Sequence, residues 1–271
     1  MQVLSRVPGG QMRDPIQGPR RSRVTFAASK EWGRQMTEPW PMHLDGLLRV
    51  REPVSRSKSG VQSKVADVAN GRSRYAESQN ELKAFRVLMA TARSEVWLEQ
   101  PFVLDYHHEG TRHRYTPDIL IAWGTHQEVV EIKEDSDAES LENQTRFALI
   151  RELLAEYGFC FRVWKKTEIC AEPRLENAAL ILRYRTVEVP AREHEEIRRT
   201  FSLTPELPLR AFGGNPQTVQ NVLRLVLDGT LHLDWWELLG LDSRISTTPI
   251  GRKVWPFPPA DFQEVRCRYT H

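Results

Sequence analysis

Three residues, two with acidic side chains and one with an amine, could together perform hydrolytic chemistry. Asp118 follows Tyr115, Thr116 and Pro117 at the start of an apolar segment, and Glu131-Ile132-Lys133 ends the next one. The two-residue period of a strand puts Glu131 and Lys133 on one face. Gly124-Thr125 predicts a tight turn between the two strands, which makes them antiparallel. We therefore expect Asp118 to lie beside Glu131 and Lys133.

Two neighbouring carboxylates repel each other, and a hard divalent cation such as Mg²⁺ removes this repulsion by accepting both as oxygen ligands. We expect Mn²⁺ to substitute for it. Such an ion polarises a phosphate and activates water, while an ammonium group steadies the developing charge. The chemistry indicated is phosphodiester hydrolysis. Taken singly, Pro-Asp and Glu-x-Lys are common on ordinary strands, so the prediction depends on their combination.

A third carboxylate is expected from the helix that precedes the strands, where Glu77 and Glu81 lie on adjacent turns. Glu81 is preferred because it is next to the apolar stripe of that helix. Its alternative role is the capping partner of Ser78. Gln144, on the following helix, is an auxiliary candidate for orienting substrate or water; the alternative is an exposed helix glutamine.

Hydrophobic periodicity predicts the elements that position these residues. A helix is expected from Ser78 to about Ala92, with Leu82, Phe85, Leu88 and Met89 as its stripe. Strands are expected over 96–98, 102–104, 115–123 and 128–133, then a helix over 141–157 and a strand over 159–164. This order predicts an α/β (α+β) fold for residues 75–172.

The first 74 residues differ in composition from the rest of the chain. They hold 14 Lys and Arg against 6 Asp and Glu, and the remainder holds 24 against 30. Scattered Pro, Gly, Ser and Arg without an apolar period predict a flexible basic arm. An arm of this charge could hold nucleic acid by releasing counterions from phosphates. The alternative is a solvated tail without a partner.

Residues 173–271 predict a second, mainly helical unit. Asn215-Pro216 is typical of a helix start, and Leu231-His232-Leu233 can form a strand behind that helix. The pattern favours a small winged-helix-like domain that binds DNA or a partner; the alternative is a helical protein-interaction module. We expect the apolar stripe of the helix to face its own core. The opposite face carries Gln217, Gln220, Asn221 and Arg224. Trp235-Trp236 favours protein docking over DNA recognition.

Several functional classes are excluded or disfavoured by composition. The three cysteines, Cys160, Cys170 and Cys267, form no C-x-x-C pair, which argues against a disulfide framework and a zinc finger. His107, His108 and His113 lie among Arg112 and Arg114, so we interpret this group as surface or phosphate contacts and not as a zinc site. No apolar run approaches the roughly 20 residues of a membrane span. We expect a cytoplasmic, nucleoid-associated bacterial protein without a membrane partner.

The motifs resemble the PD-(D/E)XK nuclease superfamily and, within it, the TnsA-type transposon endonucleases. The resemblance covers residues 75–170 well and the C-terminal unit loosely, and the basic arm has no counterpart in it. It rests on these segments: Glu77-Ser78-Gln79-Asn80-Glu81, Glu99-Gln100-Pro101-Phe102, Tyr115-Thr116-Pro117-Asp118-Ile119-Leu120, Val129-Val130-Glu131-Ile132-Lys133, and Thr145 through Arg162 to Thr167-Glu168-Ile169. Some relatives carry glutamine at the position of Glu131.

This resemblance implies a restriction-endonuclease-like catalytic domain with Glu81, Asp118, Glu131 and Lys133 in its site. It also implies cleavage of the 5′ strands at transposon ends in double-stranded DNA. A DDE-family recombinase would cut and join the 3′ ends, and an AAA+ ATPase would regulate both. Two alternatives stay open: a phage or host-defence nuclease with the same domain, and a non-catalytic DNA-binding adaptor. We assign Arg112, Arg114 and Arg224 as candidate DNA contacts.

Overall fold

A computed structural model describes residues 63–67, 71–91, 96–123 and 126–251. Its centre is a four-stranded sheet in the order β3-β6-β7-β8. The strands are β3 (Val96–Glu99), β6 (Ile119–Trp123), β7 (His126–Lys133) and β8 (Cys160–Lys165). The first three are antiparallel neighbours, and β8 is parallel to β7. The predicted antiparallel pairing of the two strands on either side of residues 124–125 is confirmed.

Two helices cover opposite faces of this sheet. Helix α1 (Gln79–Thr91) packs Phe85 and Leu88 against Trp97, Ile119, Ile121, Val130 and Ile132. Helix α3 (Leu141–Ala155) packs Phe147, Ile150, Leu153 and Leu154 against the other face, which carries Leu120, Val129 and Phe161. Both predicted helices and their apolar stripes are confirmed. The two short helices α2 (Asp135–Glu139) and α4 (Lys166–Ile169) lie at the ends of β7 and β8.

A two-stranded ribbon precedes β6. Strands β4 (Leu104–His108) and β5 (Thr111–Tyr115) pair through a turn at Glu109 and Gly110, both with positive φ. Positive φ at both central residues is what a two-residue hairpin loop requires, and Gly110 adopts it without steric cost. The strand predicted over 115–123 is therefore divided: Tyr115 ends the ribbon, and the sheet strand begins at Ile119.

A second hairpin lies where a flexible arm was expected. Strand β1 (Ser63–Asp67) pairs with β2 (Arg72–Ala76). Arg74 is buried; its guanidinium donates to Asp67 and Glu99 at 2.8 Å each and stacks on Trp97, with its Cζ 3.7 Å from the ring centroid. The arm prediction is wrong for this stretch because these long-range ion pairs leave no periodic signal. Residues 1–62 of the arm lie outside the described residues.

Replacing Arg74 by alanine is expected to lower the free energy of unfolding by about 3–5 kcal/mol, since two buried carboxylates lose their common partner. Denaturant unfolding of the full chain measures this loss. The matched control is Lys64→Ala in the paired strand, where an exposed ammonium lies 5.6 Å from the Tyr75 ring centroid. Its removal should cost less than about 1 kcal/mol. Equal costs for both variants would contradict the importance of the buried network.

Over its described residues, 173–251, the C-terminal unit contains three α-helices and a small sheet. The helices are α5 (Arg174–Ile181), α6 (Ala191–Thr200) and α7 (Pro216–Leu227), with 3-10 turns at Leu182–Tyr184 and Leu209–Phe212. Strands β9 (Glu206–Pro208), β10 (His232–Leu233) and β11 (Arg244–Ser246) form an antiparallel sheet in the order β10-β11-β9. As predicted, the Asn215 side chain caps α7 by accepting a hydrogen bond from the Gln217 backbone N–H.

Two residues of the expected outer face of α7, Asn221 and Arg224, are bonded inside the protein. Asn221 is fully buried, donates to Glu193 and accepts from Gln217. Arg224 donates to the Arg185 carbonyl and pairs with Asp228. The expectation of a polar face turned outward is therefore wrong at Asn221, because α6 packs over that side of the helix.

The tryptophan pair also differs from its expected role as a docking anchor. Trp235 is buried in the core that α5, α6 and α7 share with Val87 and Ala90 of α1. Trp236 is half-buried, with its ring centroid 5.1 Å from the Arg174 guanidinium carbon. Docking through Trp235 is wrong, since its ring already belongs to the core.

Two expectations from composition concern the cysteines and membrane spans. Cys160 and Cys170 are free thiols, while Cys267 lies outside the described residues. The longest helix among the described residues is α3, with 15 residues. Within those same residues, no helix is both long and apolar enough to cross a membrane.

Candidate active site

Asp118 lies at the point where the chain leaves the ribbon and enters the sheet. Because Ile119 pairs with Val130, the preceding Asp118 lies next to Glu131 on the neighbouring strand. Its Oδ2 accepts a hydrogen bond of 2.6 Å from the Ile132 backbone N–H. The structure thus brings Asp118 to the Glu131-Ile132-Lys133 segment, as the spacing of these residues predicted.

Glu131 is held at both of its carboxylate oxygens. The Lys133 ammonium lies 2.7 Å from Oε1, and the Tyr115 hydroxyl donates to Oε2 at 2.8 Å. Only 4% of Glu131 is exposed. Val129 packs with the α3 core and Val130 with the α1 core, so the strand period turns Glu131 and Lys133 towards the α3 side of the sheet. A buried carboxylate is therefore fixed in one orientation.

Glu81 occupies the first turn of α1, on the opposite side of the sheet. The Ser78 hydroxyl donates to its Oε1 at 2.8 Å, and the Glu77 backbone N–H donates to its Oε2 at 2.9 Å. The Glu81 N–H in turn donates to the Ser78 hydroxyl. Its capping role is therefore present. Burial raises the pKa of Glu81 above its ordinary value, and the charge of Glu77 adds to that increase.

The acidic side chains interact strongly with one another. Burial raises the pKa of Asp118 well above its ordinary range, and the negative charges of Glu131 and Glu81 raise it further. Burial alone would lower the pKa of Lys133, but the carboxylates of Glu131 and Asp118 outweigh it and raise that pKa. The Lys133 ammonium therefore does not offset the burial and the repulsion that raise the pKa of Asp118.

This charge arrangement fits a divalent cation. Asp118 and Glu131 supply hard oxygen ligands, and a cation between them would remove the repulsion that acts on Asp118. Among the described residues, no group of three or more His, Cys, Asp or Glu side chains is already arranged to hold a metal ion. Asp118 and Glu131 are thus the pair that could hold it. Both carboxylate oxygens of Glu81 already accept hydrogen bonds at the start of α1, so its role as a third ligand stays a prediction.

Two residues that contact or approach Glu131 were not among the predicted site residues. Tyr115 is 16 residues away from Glu131 in sequence, and the Arg146 guanidinium on α3 lies 4.0 Å from Glu131 Oε1. The predicted auxiliary residue on the same helix, Gln144, is exposed and donates to the Glu139 carbonyl. The sequence therefore pointed to the correct helix, α3, but to the wrong residue. Arg146, two positions after Gln144, is the one that lies near Glu131.

A strained residue lies directly beside Asp118. Gln100, at the end of β3, has a φ of 46° and is 8% exposed. Its backbone N–H donates to the Asp118 carbonyl at 2.9 Å. A non-glycine residue in this region costs on the order of 1–3 kcal/mol, and such strain is concentrated at functional sites. The hydrogen bond between Gln100 and Asp118 fixes the backbone where the candidate site begins.

The candidate DNA contacts Arg112 and Arg114 project from the ribbon. Both are exposed and pair with Asp105 at 3.2 Å. The side chain of His113 stacks on Tyr106 with ring centroids 5.2 Å apart, and His108 lies 6.4 Å from His113. Asp105 thus neutralises part of the ribbon's charge and orders its two arginines on one face.

A mixed four-stranded sheet covered by a helix on each face, with Asp118 and Glu131-Ile132-Lys133 side by side, defines a mixed α/β domain. The family model described as TnsA-like endonuclease N terminal matches residues 95–166, from β3 through β8. The resemblance to TnsA-type nucleases is confirmed over this segment, which is similar to an endonuclease domain related to transposition. Helix α1 and the C-terminal unit lie outside the matched residues. No curated protein matches the chain.

Proposed function

We propose that this protein is a Mg²⁺-dependent DNA endonuclease that cuts the 5′ strands at transposon ends. The observation that carries the proposal is the convergence of Asp118, Glu131 and Lys133 within the segment that matches the TnsA-like family. This arrangement supplies two oxygen ligands and one ammonium group. Metal-assisted phosphodiester hydrolysis can use the carboxylates to bind the ion and the ammonium group to stabilise charge.

Asp118 and Glu131 would hold the cation, which when bound polarises the phosphate and lowers the pKa of its water. The Ile132 N–H orients Asp118, and Tyr115 orients Glu131. In the absence of metal, Lys133 neutralises Glu131. With substrate bound, we propose that its ammonium holds the attacking water and stabilises charge on the phosphate.

We propose that the C-terminal unit is a winged-helix-like domain that contacts a transposition partner. The α6-β9-α7-β10-β11 order and its three-stranded sheet support this proposal. The internal bonds of Asn221 and Arg224 disfavour base recognition by that part of α7. The proposed partners are a DDE-family recombinase and an AAA+ ATPase, and the proposed location is the bacterial cytoplasm.

The direct test is a nicking assay on DNA that contains a transposon end, with and without the recombinase and with Mg²⁺, Mn²⁺ or a chelator. We expect nicks at the 5′ strands that need the divalent ion and increase with the recombinase. Cleavage that ignores transposon ends and recombinase would favour a defence nuclease. DNA binding without cleavage under all these conditions would favour a non-catalytic adaptor.

A further inference from the structure

Arg146 is the second cation at the candidate active site. It lies in α3, on the side of the sheet towards which Glu131 and Lys133 point, and its guanidinium is 4.0 Å from Glu131 Oε1. Lys133 already contacts the same oxygen at 2.7 Å. The Arg146 side chain is 45% exposed, whereas that of Glu131 is 6% exposed. One buried acceptor therefore has two cationic neighbours, and Arg146 is the one that extends into solvent.

The charge of Arg146 reaches the part of the site around Glu131. Its guanidinium carbon is 5.0 Å from the centroid of the Phe147 ring. Its charge acts on Tyr106 and Tyr115 of the ribbon and on Lys133 of the sheet. Arg146 thus stands between the ribbon and the strand that carries Glu131.

Three other arginines of the nuclease domain have closer carboxylate partners. Arg112 and Arg114 share Asp105 at 3.2 Å, and Arg162 lies 3.3 Å from Glu128. The 4.0 Å separation of Arg146 from Glu131 exceeds the range of a hydrogen bond. An exposed arginine that is near a carboxylate but not hydrogen-bonded to it can turn its donors to an incoming anion at little cost.

We propose that Arg146 binds a backbone phosphate of the DNA at or next to the bond that is cut. This inference rests on the proposed nuclease function and adds a substrate-binding residue to it. The planar guanidinium offers paired N–H donors that match two phosphate oxygens, which a lysine cannot do.

The test compares Arg146→Ala and Arg146→Lys with the matched control Arg151→Ala. Arg151 is also exposed on α3, and its guanidinium carbon is 5.7 Å from the Phe161 ring centroid. Binding of the full chain to a transposon-end duplex is measured across a salt series without divalent ions. We expect Arg146→Ala to reduce the slope of log affinity against log salt by about 0.9, the value for one lost phosphate contact. Arg151→Ala should leave that slope unchanged, and Arg146→Lys should keep the slope but lose affinity.

A second measurement locates the contact. Duplexes with a single neutral methylphosphonate linkage, moved along each strand around the cut, should show one position where wild type and Arg146→Ala bind equally. Equal slopes for Arg146→Ala and Arg151→Ala, or no position that cancels the difference, would overturn the inference. If binding depends on Arg146 but no divalent ion supports cleavage by wild type, the proposed nuclease function fails and the phosphate contact stands.

Discussion

Replacing Asp118 by asparagine is expected to reduce metal-dependent DNA cleavage by on the order of 10³-fold or more, equivalent to about 4 kcal/mol of transition-state stabilisation. Asparagine keeps a carbonyl oxygen that can accept from the Ile132 N–H but loses the charge that would bind the cation. Single-turnover nicking with saturating Mg²⁺ measures this effect. Cleavage at the wild-type rate would remove Asp118 from the active site.

The same variant is expected to be no less stable than wild type. Since burial and the charges of Glu131 and Glu81 raise the pKa of Asp118, its ionised form destabilises the folded protein at neutral pH. Asparagine removes this cost, and the free energy of unfolding in the absence of metal should stay the same or increase. Loss of cleavage through misfolding would instead appear as a decrease in that free energy.

The matched control is Asp105→Asn on the ribbon. Asp105 accepts its hydrogen bond from Arg114 and pairs with Arg112, and these arginines lower its pKa. Its ionised form is therefore stabilising, and the substitution should lower stability slightly while cleavage continues. Asp118→Asn should lose cleavage and keep stability, whereas Asp105→Asn should keep cleavage and lose some stability. This pair of variants therefore separates a catalytic carboxylate from a structural one.

Replacing Lys133 by alanine is expected to slow cleavage by roughly 10²- to 10³-fold, which is the cost of losing a donor that stabilises transition-state charge. The dependence of the rate on Mg²⁺ concentration should change little, because Asp118 and Glu131 remain. Rates measured at several Mg²⁺ concentrations separate the maximal cleavage rate from the apparent affinity for Mg²⁺. A loss that excess Mg²⁺ restores would show that Lys133 acts only through metal affinity.

Lys165→Ala is the control for this prediction. Lys165 is the register partner of Lys133 on the parallel strand β8. It also makes an ion pair of 2.7 Å, but with the exposed Glu139. An exposed pair of this kind contributes about 0–1 kcal/mol to stability, and Lys165→Ala should cut DNA like wild type. Equal losses for both lysines would indicate general charge effects and not a role in the chemistry.

The juxtaposition of Asp118 with Glu131 and Lys133 was predictable because it is local. A hairpin register and a two-residue strand period relate residues that are only 13 to 15 positions apart. Helix caps are equally local, and those at Ser78 and Asn215 are found where the sequence predicted them. The catalytic and metal-binding roles of these residues remain predictions.

The environment of the site could not be predicted in the same way. Tyr115 reaches Glu131 because the ribbon packs on the sheet, and Arg146 does so because α3 covers that face. Neither contact has a fixed sequence spacing. The buried network of Arg74 with Asp67 and Glu99 joins a hairpin that looked polar and unstructured in sequence. Charged residues give no hydrophobic period, so their burial is visible only after folding.

By itself, the sequence determined helices α1 and α3, the antiparallel pairing of β6 with β7 and the position of the acidic pair, because periodicity and short-range register act along the chain. Tertiary packing decided which polar side chains are used internally. It buried Asn221 beneath α6 and Trp235 in the shared core, and it turned Glu131 towards Arg146. The physical reason is that burial and pairing of a polar group depend on which distant elements pack around it, and no local pattern encodes that choice.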